Sequence, residues 1–174
     1  MGTHETDKAN MLQLAIETIK TEILALEDLR DHLDHQIVDV TRLIYDSKGR
    51  VVITGIGKSA IIAQKVVATL NSTGTPALYM HAADAIHGDL GMIASQDVVM
   101  LISKSGETSE VKALIPLIQR FGNPIIAMTA NTQSFLARHA DFHLHTPIRK
   151  EADPNNLAPT ASTTAQMAMG DALA

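Results

Sequence analysis

The chain has no cysteine and no tryptophan, and aromatic residues make up only 3% of its 174 positions. Without cysteine there is no disulfide, no thiolate metal site and no cysteine nucleophile, so its chemistry must come from oxygen and nitrogen groups. The few rings, Tyr45, Tyr79, Phe121, Phe135 and Phe142, leave little with which to stack a base or a sugar. Basic residues are not in excess: the formal charge is −5 and the pI about 5.8, which argues against nucleic acid or an anionic membrane as the main partner. A small ligand is expected instead. No apolar run approaches the roughly 18 residues of a membrane span. The polar start MGTHETDK is unlike a signal peptide, so the chain reads as soluble and cytoplasmic. With 45% hydrophobic and 19% charged residues it suits one domain with a sizeable core. That domain is placed at residues 9–174, behind a disordered leader at 1–8.

From Leu12 the apolar residues recur every three or four positions, through Ile16, Ile19, Ile23, Leu26, Leu29, Leu33, Ile37 and Val40 to Ile44. This predicts a long amphipathic helix, or two in line, that packs on its own domain or forms a subunit interface. After Ser47-Lys48-Gly49-Arg50 the pattern changes to short β-branched runs at Val51–Thr54, Ala77–Met80, Val98–Ile102, Ile125–Thr129 and Phe142–His145. Helical stretches are expected between them at about 59–72, 84–94, 108–121 and 132–139, with a last helix in STTAQMAMGDALA. Runs without polar alternation suit strands covered on both faces. The expected fold is a three-layer α/β/α sandwich around a five-stranded parallel sheet, preceded by the N-terminal helical segment. The last helix reaches Ala174 with no glycine, proline or basic turn behind it, so the natural protein is expected to continue.

In an open parallel sheet, ligands sit beyond the carboxyl ends of the strands, near helix N-termini that favour anions. Three turns there are rich in hydroxyls: Thr54-Gly55-Ile56-Gly57-Lys58-Ser59-Ala60, Ser103-Lys104-Ser105-Gly106-Glu107-Thr108, and Ala158-Pro159-Thr160-Ala161-Ser162-Thr163-Thr164. The first is not a Walker A loop, because Val52 stands where its leading glycine would be. It meets the loose dinucleotide fingerprint, yet Met80-His81 replaces the acidic residue expected after the second strand. In the second, Gly106 admits close backbone approach while Ser103, Ser105 and Thr108 offer more hydroxyls than an N-cap needs, which points to phosphate.

Gly-x-Gly-Lys-Ser, Ser-x-Ser-Gly-Glu-Thr and Ala-Pro-Thr-x-Ser-Thr-Thr, in this order, resemble the sugar isomerase (SIS) domain, whose fold is flavodoxin-like. Together with Ser72-Thr73-Gly74-Thr75-Pro76, His87-Gly88-Asp89-Leu90-Gly91 and Gly170-Asp171-Ala172-Leu173-Ala174, they resemble the D-arabinose 5-phosphate isomerases in particular. The resemblance implies interconversion of D-ribulose 5-phosphate and D-arabinose 5-phosphate through an enediol, in Kdo, lipopolysaccharide or capsule biosynthesis, by a homotetramer. It implies no redox or organic cofactor, since the reaction only moves a proton between C1 and C2.

By the same resemblance Lys58 would stabilise enediolate or phosphate charge, one of Glu110 and Glu151 would shuttle the proton, and His87 would serve the substrate oxygens or ring opening. Ser59, Gly74, Thr75, Ser103, Ser105, Gly106, Thr108, Ser162 and Thr163 would bind the sugar phosphate. His81 matches a position where the family can carry a divalent metal such as zinc. His143 and His145 share a strand face at a spacing that is also metal-compatible.

The chain departs from the family in three ways. Asp153 replaces the cysteine of Glu-Ala-Cys-Pro, and as a second carboxylate it is expected to raise the pKa of Glu151. Asp84 stands where glutamate is usual. The family's further functional histidine and its tandem CBS domains lie beyond Ala174. A non-catalytic sugar-phosphate sensor is the alternative, but Lys58, Glu110 and Glu151 together favour the enzyme.

Overall fold

A computed structural model describes residues 2–174, with side chains described from Asp7 onward except Ala9; Met1 lies outside the described residues. Helices α1 (Gly2–Asp31) and α2 (Gln36–Asp46) come first. The sheet then alternates with helices: β1 (Val51–Gly55), α3 (Lys58–Ser72), β2 (Ala77–His81), α4 (Ala82–Ile86), β3 (Val98–Ile102), α5 (Ser109–Phe121), β4 (Ile125–Thr129), α6 (Phe135–His139), β5 (Phe142–His145) and α7 (Ala161–Leu173). All strand pairs are parallel, in the order β2-β1-β3-β4-β5, the flavodoxin-like arrangement. Residues 2–8, expected as a leader, are drawn within α1.

Because side chains alternate along a strand, each strand feeds two cores. Val51, Ile53, Val98, Met100, Ile102, Ile126 and Met128 face α2, α3 and α7. Val52, Val99, Leu101, Ile125 and Ala127 face α4, α5 and α6. This double burial is why the strands read as unbroken apolar runs. Three layers result.

The helices differ from expectation in two places. The stretch expected at 84–94 is split, with α4 ending at Ile86 and a separate 3-10 turn at Asp89–Met92, because His87-Gly88 interrupts it. The stretch expected at 132–139 begins only at Phe135. Asn131 first makes a side-chain turn to the Gln133 N–H at 2.9 Å, and Ser134 then caps the helix by accepting from the Ala137 N–H. The N-terminal stripe forms two helices, one of the two expected forms, with a break between Asp31 and Gln36; among the described side chains of α1, Ala25 and Leu29 are the buried apolar ones. Leu12 and Ile19 remain 64% and 59% exposed. Among the described residues no helix is long and apolar enough to cross a membrane.

Candidate functional site

The strand order reverses between β1 and β3, which are paired neighbours while the strands sequential to them lie on opposite sides. A crevice opens at such a switch point, beyond the carboxyl ends of the two strands. A cleft of about 210 Å3 lies there, lined by Ile56, Lys58 and Ser59 after β1, Ser103, Lys104, Ser105 and Thr108 after β3, and Pro159 and Ser162 before and within α7. Thus the three hydroxyl-rich turns do converge. Gly57 makes the first turn possible: at φ 60° and ψ −130° it adopts a conformation that residues with a Cβ rarely reach, and from it α3 starts at Lys58. Lys58 is exposed at that helix start, where a cation gains nothing from the helix dipole.

The second turn is fixed from within. Ser103 Oγ accepts from the Gly106 N–H at 3.1 Å and Ser105 Oγ from the Glu107 N–H at 3.2 Å. Gly106 sits at φ 65°, and a Cβ there would come within 2.3 Å of Ser134 Oγ. One hydroxyl remains unused. Thr108 Oγ1 is buried and has no hydrogen-bond partner, whereas the Ser162 hydroxyl lies against the Glu151 carboxylate; both residues line the cleft. A buried hydroxyl without a partner is costly, and a ligand that supplies acceptors would relieve that cost. Ser59 donates to Gln166 Oε1 at 3.2 Å, while the Thr163 hydroxyl turns back to the carbonyl of Thr160 at 2.8 Å, away from the cleft lining.

Glu151 is buried beside the cleft and not in it. Its Oε1 lies 2.6 Å from Lys104 Nζ, and its Oε2 accepts from the N–H groups of Thr160 at 2.9 Å and Ser162 at 3.0 Å. Burial alone would raise this carboxyl. The Lys104 ammonium, the Ser162 hydroxyl and the N–H groups at the start of α7 more than offset it, and the group is held at about 2, against an ordinary 4.5. The net shift of Glu151 is thus opposite to the one expected from Asp153, and the repulsion between the two carboxylates falls on Asp153. Its carboxylate is spent in its own loop, accepting from the N–H groups of Asn155, Leu157 and Ala158.

The remaining residues are more scattered. Glu110 is half-buried in the first turn of α5, two residues past the cleft-lining Thr108, and accepts from the Ser109 hydroxyl at 3.0 Å. His87 is exposed at the end of α4, on the carboxyl side of β2. Gly74 and Thr75 lie before β2, at the opposite end of the sheet, so a single chain does not bring them to the cleft. His81 ends β2 with the Asp84 carboxylate 3.8 Å away. Among the described residues no three histidine or carboxylate side chains are grouped to hold a metal. On β5, His143 and His145 direct Nε2 to the carbonyls of Thr129 and Ala130 at 3.3 and 3.2 Å, links that serve the sheet edge. Sequence reading gave Lys104 no role. The signal was a cation inside a turn already marked for phosphate.

A family model for the SIS domain matches residues 43–174. The chain belongs to the SIS domain family. It is 50% identical over 167 residues to the probable arabinose 5-phosphate isomerase of Haemophilus influenzae, covering 96% of this chain and 50% of that protein. It is 45% identical over 173 residues to the arabinose 5-phosphate isomerase KdsD of Francisella tularensis, covering 98% and 53%. The SIS chain therefore spans about half the length of the curated relatives it matches. Among solved structures, Escherichia coli CFT073 c3406 in complex with arabinose 5-phosphate superposes with a TM-score of 0.92 at 39% identity, covering 95% of this chain and 88% of that one. The Vibrio vulnificus NanR protein complexed with ManNAc-6P, at 16% identity and a TM-score of 0.80, shares the fold.

Proposed function

We propose that this SIS chain is the isomerase domain of an enzyme that interconverts D-ribulose 5-phosphate and D-arabinose 5-phosphate, supplying Kdo for lipopolysaccharide or capsule. The observation that carries this reading is the cleft itself: two lysines and a buried, unpartnered hydroxyl in a chain whose relatives bear that name. Such a lining suits a small phosphorylated sugar and offers no ring on which to stack a base.

The isomerisation needs a base over C1 and C2, a cation where the enediolate forms, and a proton donor at the oxygens. Lys58 supplies the cation at the cleft mouth. Glu110 is the carboxylate available for the proton, and His87 the group for the oxygens or ring opening. Ser59, Ser103, Ser105, Gly106, Thr108, Ser162 and Thr163 make up the phosphate and sugar turns, with Gly74 and Thr75 reaching a cleft only from a neighbouring subunit. The reaction takes no redox or organic cofactor, because it transfers only a proton. The enzyme works in the cytoplasm as a homotetramer, which would cover the exposed apolar side chains of α1.

The test is to incubate the intact protein with ribulose 5-phosphate in deuterated water and follow the sugar carbons by NMR. Arabinose 5-phosphate is expected to appear with deuterium at the exchanging carbon. No product and no exchange would end this reading.

A further inference from the structure

We propose that Lys104 is a phosphate-binding residue of the cleft and that Glu151 is a positioning residue acting through it, and not the proton-transferring base. The inference rests on the sugar-phosphate reading above and assigns the parts within that site.

Both oxygens of Glu151 are engaged within the protein. Oε1 is taken by Lys104, and Oε2 by the N–H groups of Thr160 and Ser162, with the Thr160 hydroxyl at 3.4 Å. Its side chain is fully buried, and the residue is not part of the cleft lining. A general base must reach the proton it removes and must bind that proton near the working pH. A carboxylate enclosed in this way, and held far below neutrality, does neither.

Lys104 has the complementary geometry. Its side chain is 44% exposed and lines the cleft between Ser103 and Ser105, while its ammonium is tied to Glu151. An ammonium has three N–H donors, so one bond to Glu151 leaves two for a ligand. Thr108, whose hydroxyl is unpartnered, Ser162 and Lys58 line the same cleft. Lysine loses much rotamer freedom when it binds an anion. Glu151 has already imposed that loss in the free protein, and the same carboxylate fixes the start of α7 that carries Ser162. A phosphate therefore meets a preorganised cation and hydroxyl.

The test uses the intact protein, with inorganic phosphate followed by calorimetry and ribulose 5-phosphate by initial rates. Lys104→Met should weaken phosphate by about tenfold or more and raise KM by a similar factor, with kcat changed less than about threefold. Lys104→Arg, which keeps the charge, should recover phosphate affinity to within about threefold. Glu151→Gln should raise KM more than it lowers kcat, and in the Lys104→Met background it should add less than about twofold. The proposal is overturned if Lys104→Met binds phosphate within about twofold of wild type. It is also overturned if Glu151→Gln removes kcat by about a hundredfold at unchanged KM, equally in both backgrounds, as loss of a base would. Should Glu151→Gln unfold, the two Lys104 variants decide. Failure of the wild type to turn over ribulose 5-phosphate would count against the activity, whereas the phosphate calorimetry still reads Lys104.

Discussion

Arg149 reaches from the loop after β5 to Asp28 on α1, its Nε and Nη2 each donating at 2.6 Å to a different oxygen of the carboxylate. This paired bond clamps α1 onto the segment that carries Glu151 two residues later. The Arg149 guanidinium holds the Asp28 carboxyl below its ordinary 3.8. The charge pair therefore contributes fully above that value and is lost as the pH falls through the lowered one. Asp28→Asn should lower Tm at neutral pH and speed amide exchange across residues 149–162, and the difference from wild type should close only below pH 3.8. Melting curves and hydrogen exchange along a pH series check both.

Glu151 gives a stronger acid signature. Its pKa is lowered on folding from 4.5 to about 2, so its stabilisation is complete above about 4.5 and drains away between those values as the pH falls. At 1.36 kcal/mol per unit the contribution is on the order of 3 kcal/mol. Chemical denaturation at several acid pH values should show wild type losing stability over that window, with Glu151→Gln lower at neutrality and flatter below it.

Thr108→Ala separates binding from folding. The Thr108 hydroxyl has no partner in the free protein, so removing it should leave Tm nearly unchanged. Phosphorylated sugars should bind about tenfold more weakly, and free sugars equally well. Equal losses for both would mean that the hydroxyl only shapes the turn.

Gly106→Ala should do the reverse and cost stability first. The residue sits at φ 65°, with Ser134 Oγ only 2.3 Å from where the methyl would be. The left-handed conformation costs roughly 1–2 kcal/mol for a residue with a Cβ. The clash adds to this, and displacement of Ser134 frees the cap of α6. A clear fall in Tm and weaker phosphate binding are expected together.

The exposed stripe on α1 tests the assembly. Ile19→Asp combined with Ile23→Asp, at positions 59% and 48% exposed, should leave the domain folded by circular dichroism while lowering the mass seen by light scattering. An unchanged mass would place the interface elsewhere.

The sheet was legible because strands covered on both faces need apolar residues at every position, and Val98–Ile102 and Ile125–Thr129 show this without ambiguity. The cleft was legible too, since the topology of a parallel sheet directs attention to the turns after β1 and β3. The Lys104–Glu151 pair was not. Its partners are 47 positions apart, and Lys150-Glu151-Ala152 has the look of a surface segment until α7 folds over it. The break at His87-Gly88 was hidden for a local reason, because alanine-rich Ala82–Ile86 favours helix and nothing before the glycine announces its end.

The placement of α7 has a consequence for how the site comes into being. Ser162 and the N–H groups that anchor Glu151 belong to the last helix of the chain, whereas every strand is complete by His145. Ala165, Met169 and Leu173 of α7 also sit in the core beneath β1, β3 and β4, so docking of α7 completes the core and the cleft in one step. A bound sugar phosphate would then stabilise the docked helix by mass action.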